Sequence, residues 1–123
     1  MIKSYTDISQ SKKLAEILPI ESADMCFQYQ TDRWVGEPDY NEFPQFEHAT
    51  DKRDVPCWSL ASLLGVLPDE LGDNHFLTLD KEGNEYCCCY EDVNGNSFRH
   101  TFADNPIDAC VAMIEKLHEH KML

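Results

Sequence analysis

Between Phe76 and Leu117 the chain carries one turn signature twice, as Asp80-Lys81-Glu82-Gly83-Asn84 and Asp92-Val93-Asn94-Gly95-Asn96, twelve positions apart. An Asp whose side chain caps a turn, two right-handed residues, and a Gly in the left-handed region make the three-residue hairpin loop closed by a bulge. Asn94-Gly95 also suits a two-residue type I′ turn, and the choice fixes the strand register. With the three-residue loop, Tyr90 faces Phe98, Cys88 faces His100 and Tyr86 faces Phe102, which gathers the aromatic rings on one side. With the two-residue loop, Tyr90 faces Arg99 and the two faces mix. Burial of one face favours the cleaner segregation, so the expectation is an antiparallel meander with its aromatic face inward. The same geometry in the first hairpin sets Phe76 and Thr78 beside Tyr86 and Cys88, with Leu77 and Leu79 on the second face.

A helix follows directly. Asn105 is a favourable cap, Pro106 suits the first helical position, and Asp108 complements the helix dipole in the first turn. Ile107, Cys110, Val111, Ile114 and Leu117 recur at three- and four-residue spacing and form one apolar stripe to lie on the sheet.

Upstream, residues 7 to 18 read as a short helix, opened by a capping box from Asp7 to Gln10 and ended by Pro19. Met25, Phe27 and Tyr29 alternate with Cys26, Gln28 and Gln30, the period of a half-buried strand expected to join the meander at an edge. Residues 36 to 54 show no period and are rich in acids, among which Trp34, Tyr40, Phe43 and Phe46 are interleaved. Such rings beside carboxylates suit a basic, partly apolar partner surface, and these four are the candidate partner-binding residues. Pro56 then reads as the start of an almost wholly apolar, buried helix running to Leu64 and stopped by Gly65. Pro68 to Leu71 suggests one further helical turn.

Size and composition bound the rest. A chain of 123 residues that is 42% hydrophobic is expected to fold as a single domain spanning residues 1–123. Ten basic against twenty-three acidic side chains give a formal charge of −13. That balance argues against direct binding to nucleic acid or to anionic membranes, since both draw their affinity from Lys and Arg. No apolar run is long enough for a membrane span and the N-terminal residues lack a signal core, so a cytoplasmic setting is expected. Six cysteines, three of them consecutive at 87 to 89, fit reduced thiols packing as small hydrophobes better than a disulfide framework.

The cysteines and histidines are also the only candidates for chemistry. Successive strand residues point to opposite faces, so Cys87, Cys88 and Cys89 cannot all reach one ion. The paired spacing of a zinc site is missing too. A Cys88–His100 nucleophile pair on a buried sheet face would have neither substrate access nor an oxyanion hole. No phosphate loop or dinucleotide fingerprint occurs. No catalytic residue, metal ligand or cofactor is therefore assigned.

Two stretches carry a resemblance. Residues 56 to 68, Pro-Cys-Trp-Ser-Leu-Ala-Ser-Leu-Leu-Gly-Val-Leu-Pro, and residues 104 to 114, Asp-Asn-Pro-Ile-Asp-Ala-Cys-Val-Ala-Met-Ile, resemble a family of short acidic proteins. That family is found in phages and mobile elements of gut bacteria, and its members are uncharacterised. The resemblance implies a bacterial or phage cytoplasmic setting and brings no catalytic residues with it.

The expected fold class is α+β: an antiparallel β-meander of about four strands packed against two or three helices. The expected function is that of a non-enzymatic accessory protein that binds another protein, with a homodimer as a further option. Two alternatives stand beside it. One is an acidic mimic of nucleic acid that inhibits a basic protein; the other is a small Cys/His metal-binding protein or enzyme.

Overall fold

The structure, a computed structural model, describes residues 3–31, 38–40, 43–49, 51–72 and 74–123. The fold is α+β, and its residues gather into two compact units, Tyr5–Ser62 and Leu63–Leu123, the latter joined by Lys3 and Ser4.

In the Tyr5–Ser62 unit, helix α1 spans Ile8–Ala15 and opens with the expected reciprocal box. The Asp7 carboxylate accepts from the Gln10 backbone N–H at 2.8 Å, and the Gln10 side chain accepts from the Asp7 N–H at 3.1 Å. After a 3₁₀ turn at Ile20–Ser22 come β1 (Met25–Phe27), β2 (Tyr29–Thr31), β3 (Pro38–Tyr40) and β4 (Val55–Cys57). Strand β1 pairs antiparallel with β4, and β2 with β3. The Met25–Gln30 strand thus breaks at Gln28 and does not join the meander. Met25, Cys26 and Phe27 are all buried, so both faces of β1 are covered and the alternation seen in the sequence is not one of burial.

Pro56 lies in β4 and opens no helix. The segment from Cys57 to Ser59 is held extended by long-range bonds. Thr6 N–H donates to the Trp58 carbonyl at 3.0 Å, and its hydroxyl accepts from Trp58 N–H at 3.1 Å. Asp24 accepts from both the N–H and the hydroxyl of Ser59. These bonds outweigh the local preference of Pro for a helix start. Helix α2 begins only at Leu60 and runs to Val66, with the Ser59 hydroxyl accepting from Ser62 N–H. Within α2 only Leu63 is fully buried, whereas Cys57 and Trp58, just ahead of it, are wholly enclosed. The Trp58 indole N–H donates to the Ser22 hydroxyl at 3.0 Å.

In the second unit, β5 (Glu70–Leu71), β6 (His75–Glu82), β7 (Glu85–Glu91) and β8 (Ser97–Ala103) form one antiparallel sheet in that order. The fourth strand is therefore the stretch expected to be a helical turn. The two look-alike bends use different geometries. Glu82 pairs with Glu85, leaving Gly83-Asn84 as a two-residue turn with Gly83 at φ +61, the type II′ arrangement. The second bend is the three-residue loop: Gly95 N–H donates to the Asp92 carbonyl, Asp92 N–H donates to the Asn96 carbonyl, and Gly95 sits at φ +81. The Asp92 carboxylate accepts from the N–H groups of Asn94 and Asn96, each at 2.9 Å.

The register that follows is not the expected one. Glu91 pairs with Ser97 but Tyr90 pairs with Arg99, so Phe98 is an extra residue, a bulge that shifts the ladder by one. Cys88 now faces Thr101, Cys89 faces His100, Cys87 faces Phe102 and Tyr86 faces Ala103. Leu77, Leu79, Tyr86, Cys88, Tyr90 and Thr101 share one face; Phe76, Thr78, Asp80, Cys87, Cys89, Glu91, His100 and Phe102 share the other.

Helix α3 (Pro106–Glu119) covers the first face, with its Asn105 cap and its buried stripe as expected. The Thr101 hydroxyl donates to the Ala109 carbonyl at 2.7 Å. Among the aromatic rings of the two hairpins only Tyr90 is fully enclosed; Phe76, Phe98 and Phe102 are exposed at 44%, 41% and 53%. Tyr90 satisfies its hydroxyl by donating to the Pro68 carbonyl at 2.7 Å.

This register predicts a sharp contrast under chemical denaturation. Tyr90→Ala should cost about 3–5 kcal/mol, the range for truncating a buried aromatic. Phe102→Ala should change stability by no more than about 0.5 kcal/mol. A large loss at Phe102 would restore the aromatic-inward register.

Candidate functional site

An open cleft of about 580 Å³ lies in the Tyr5–Ser62 unit. Lys12 and Ala15 of α1 form one wall, Tyr29 and Tyr40 of the β2–β3 pair another, and Asp51 to Pro56 a third. Register explains the aromatic wall: Tyr29 and Tyr40 are direct partners across β2 and β3, and their rings meet edge to face at 5.8 Å. Each ring carries a cation. Lys12 Nζ lies 5.4 Å from the Tyr40 centroid, and the Arg53 guanidinium lies 4.3 Å from that of Tyr29.

Arg53 is held there by Asp51, to which it donates through Nε at 3.0 Å and Nη2 at 2.7 Å. The forked pair holds the Asp51 carboxyl down to about 2, because the Arg53 hydrogen bonds favour its charged form, and it raises Arg53 in turn. Asp54 ties the floor together by accepting from Tyr29 N–H at 2.8 Å and Asp51 N–H at 3.1 Å. Aromatic and aliphatic walls with cations at the rim are the kind of lining that ligand clefts have.

The four candidate partner-binding residues fare differently. Trp34 lies outside the described residues. Tyr40 is half-buried, packs on the cluster of Met25, Phe27, Val55 and Cys57, and lines the cleft. Phe43 and Phe46 stand in solvent, 63% and 74% exposed. Between them Gln45 is pinned to β1 by two backbone bonds, Cys26 N–H to Gln45 carbonyl and Gln45 N–H to Cys26 carbonyl, both 2.9 Å. Sequence reasoning missed Lys12, Tyr29 and Arg53. Tyr29 was visible as a strand residue, but only the pairing with Tyr40 reveals the wall.

A second cluster lies on the sheet face away from α3. Asp80, Cys89 and Glu91 bring their ligand atoms within 4.8 Å of one another. The Cys89 thiol donates to a Glu91 carboxylate oxygen at 3.1 Å and shares a 2.9 Å hydrogen bond with the Thr78 hydroxyl. Cys89 is only 1% exposed, and burial, with the neighbouring Glu91 and Cys87, pushes its thiol up to about 12. The Cys88–His100 pair weighed from sequence does not form. Cys88 is buried on the α3 side beside Cys110, and that contact together with burial pushes its thiol up. All six cysteines are free thiols.

No known protein family, curated protein or solved structure matches this chain. No helix among the described residues is long and apolar enough to cross a membrane.

The Asp51–Arg53 fork yields a pH prediction. A depressed carboxyl contributes stability that is whole above its ordinary value of 3.8 and fades as pH falls towards about 2. Asp51→Asn should therefore flatten the acid limb of a denaturation midpoint against pH over that window. An unchanged acid limb would show that the fork contributes nothing in solution.

Proposed function

We propose that this protein is a non-enzymatic binding protein that engages another protein through the Phe43–Phe46 segment of the Tyr5–Ser62 unit. One observation carries the reading: two phenylalanines stand well exposed on either side of Gln45, whose backbone is fixed to β1 at both N–H and carbonyl. A ring displayed on pinned backbone loses little conformational freedom on binding, and buried aromatic anchors dominate interface energetics. The formal charge of −13 favours a basic partner, because opposite charge steers encounter and suppresses wrong pairings. The resemblance of residues 56–68 and 104–114 to phage and mobile-element proteins supports a bacterial or phage cytoplasm as the setting.

Site-specific photo-crosslinking in native cells tests this. A photoreactive residue at position 46 should trap one defined basic protein, and the same residue at the exposed α3 position 119 should not. With both proteins purified, the Phe43→Ala, Phe46→Ala double variant should lose at least about 2 kcal/mol of binding, roughly thirtyfold, without a change in thermal midpoint. Identical capture from positions 46 and 119, or undiminished binding by the double variant, would refute the proposal.

A further inference from the structure

We infer that the outer face of the β6–β7 hairpin is a site for a thiophilic divalent cation, zinc in the first instance. Its ligands are Cys89 and Cys87 together with the carboxylates of Asp80 and Glu91. The inference is independent of the binding role given to Phe43 and Phe46. It rests on how two strands place four donors. Cys87, Cys89 and Glu91 fall at alternate positions of β7 and so point the same way, while Asp80 pairs directly with Cys87 from β6. Donor atoms of Asp80, Cys89 and Glu91 already lie within 4.8 Å of one another, and Cys87 stands on the same face two positions from Cys89. Around tetrahedral zinc, sulfur and oxygen ligands sit about 3.5 Å apart.

Charge and access point the same way. Neither Asp80 nor Glu91 has a cationic partner among the described residues, so two carboxylates share one patch with two thiols and no counter-charge. Cys89 is buried and held by Thr78, whereas Asp80 is exposed and Cys87 and Glu91 are half-exposed, giving a fixed thiol at the base and a mouth open to solvent. The donor set selects the ion. Calcium and magnesium take oxygen ligands and gain nothing from sulfur, while mixed thiolate and carboxylate ligation suits zinc. On binding, the two thiols each lose a proton to solvent and ligate as thiolates.

The full chain, reduced and freed of metal, should be titrated with Co²⁺ as a spectroscopic stand-in and then with Zn²⁺. The expected result is one Co²⁺ per chain with a thiolate-to-cobalt charge-transfer band, abolished by stoichiometric Zn²⁺. Cys89→Ser should cut the band by at least half, because Cys87 is then the one thiolate ligand left. Asp80→Asn, an exposed change that leaves the fold intact, should weaken affinity more than about tenfold. His118→Ala with His120→Ala, exposed at the C-terminal end of α3 and just past it, should leave both band and affinity as they were. A band at full strength in Cys89→Ser, affinity unaltered by Asp80→Asn, or binding lost with the two histidines would overturn the assignment.

Discussion

Tyr90 can be enclosed only if its ring is covered and its hydroxyl finds an acceptor, and the architecture of the Leu63–Leu123 unit follows from meeting both demands at once. Helix α3 lies against the face of β7 and β8 that carries Tyr90 and Cys88, and the Pro68 carbonyl accepts the hydrogen bond that the phenol donates. A buried hydroxyl left without a partner would cost about 1–3 kcal/mol. The strand period then dictates the rest: with Cys88 and Tyr90 turned towards the helix, Cys87, Cys89 and Glu91 must face the other way. The crowding of thiols and carboxylates on the outer face is thus a direct consequence of how the inner face is filled.

The bulge at Phe98 is what reconciles turn and face. The loop at Asp92–Asn96 closes as its residues demand, and taken alone it would carry Phe98 and Phe102 under the helix. The α3 stripe already brings Ile107, Met113, Ile114 and Leu117, all wholly buried, to that space. Two more aromatic rings would overfill it, and overpacking is destabilising as a void is. One inserted residue sends Thr101 and Ala103 to the inner face and leaves the phenylalanines outside. Phe98 then rests between neighbours, 5.3 Å from the His75 ring and 4.9 Å from the Arg99 guanidinium.

The Tyr5–Ser62 unit is organised by bonds between residues far apart in sequence. Thr6 and Asp24 hold the stretch from Cys57 to Ser59 extended, although Pro56 just ahead of it suits a helix start. Burial opposes ionisation of Asp24, but the hydroxyl and N–H of Ser59 hold its carboxyl below the ordinary value. Both the aromatic cleft wall and the displayed Phe43 and Phe46 depend on this scaffold of short strands, since β1 anchors Gln45 and the β2–β3 pair aligns Tyr29 with Tyr40.

What could be read from the chain alone was part of what neighbours a few residues apart govern. The capping box at Asp7, the Asn105–Pro106 helix start, the apolar stripe of α3 and the Asp92 loop all stand where their local chemistry puts them. The α+β class followed from those elements together. Register, strand partners and the faces they expose belong to the tertiary structure. The bulge at Phe98 answers to the volume already supplied by α3, and the extended Cys57–Ser59 segment answers to Thr6 and Asp24. The meeting of Asp80 with Cys89 and Glu91 answers to a turn at Gly83 one residue tighter than its twin. The first two are decided by groups distant in sequence, where no local preference is strong enough to outvote a buried long-range bond or a filled core, and the third by the number of residues that a glycine turn takes up.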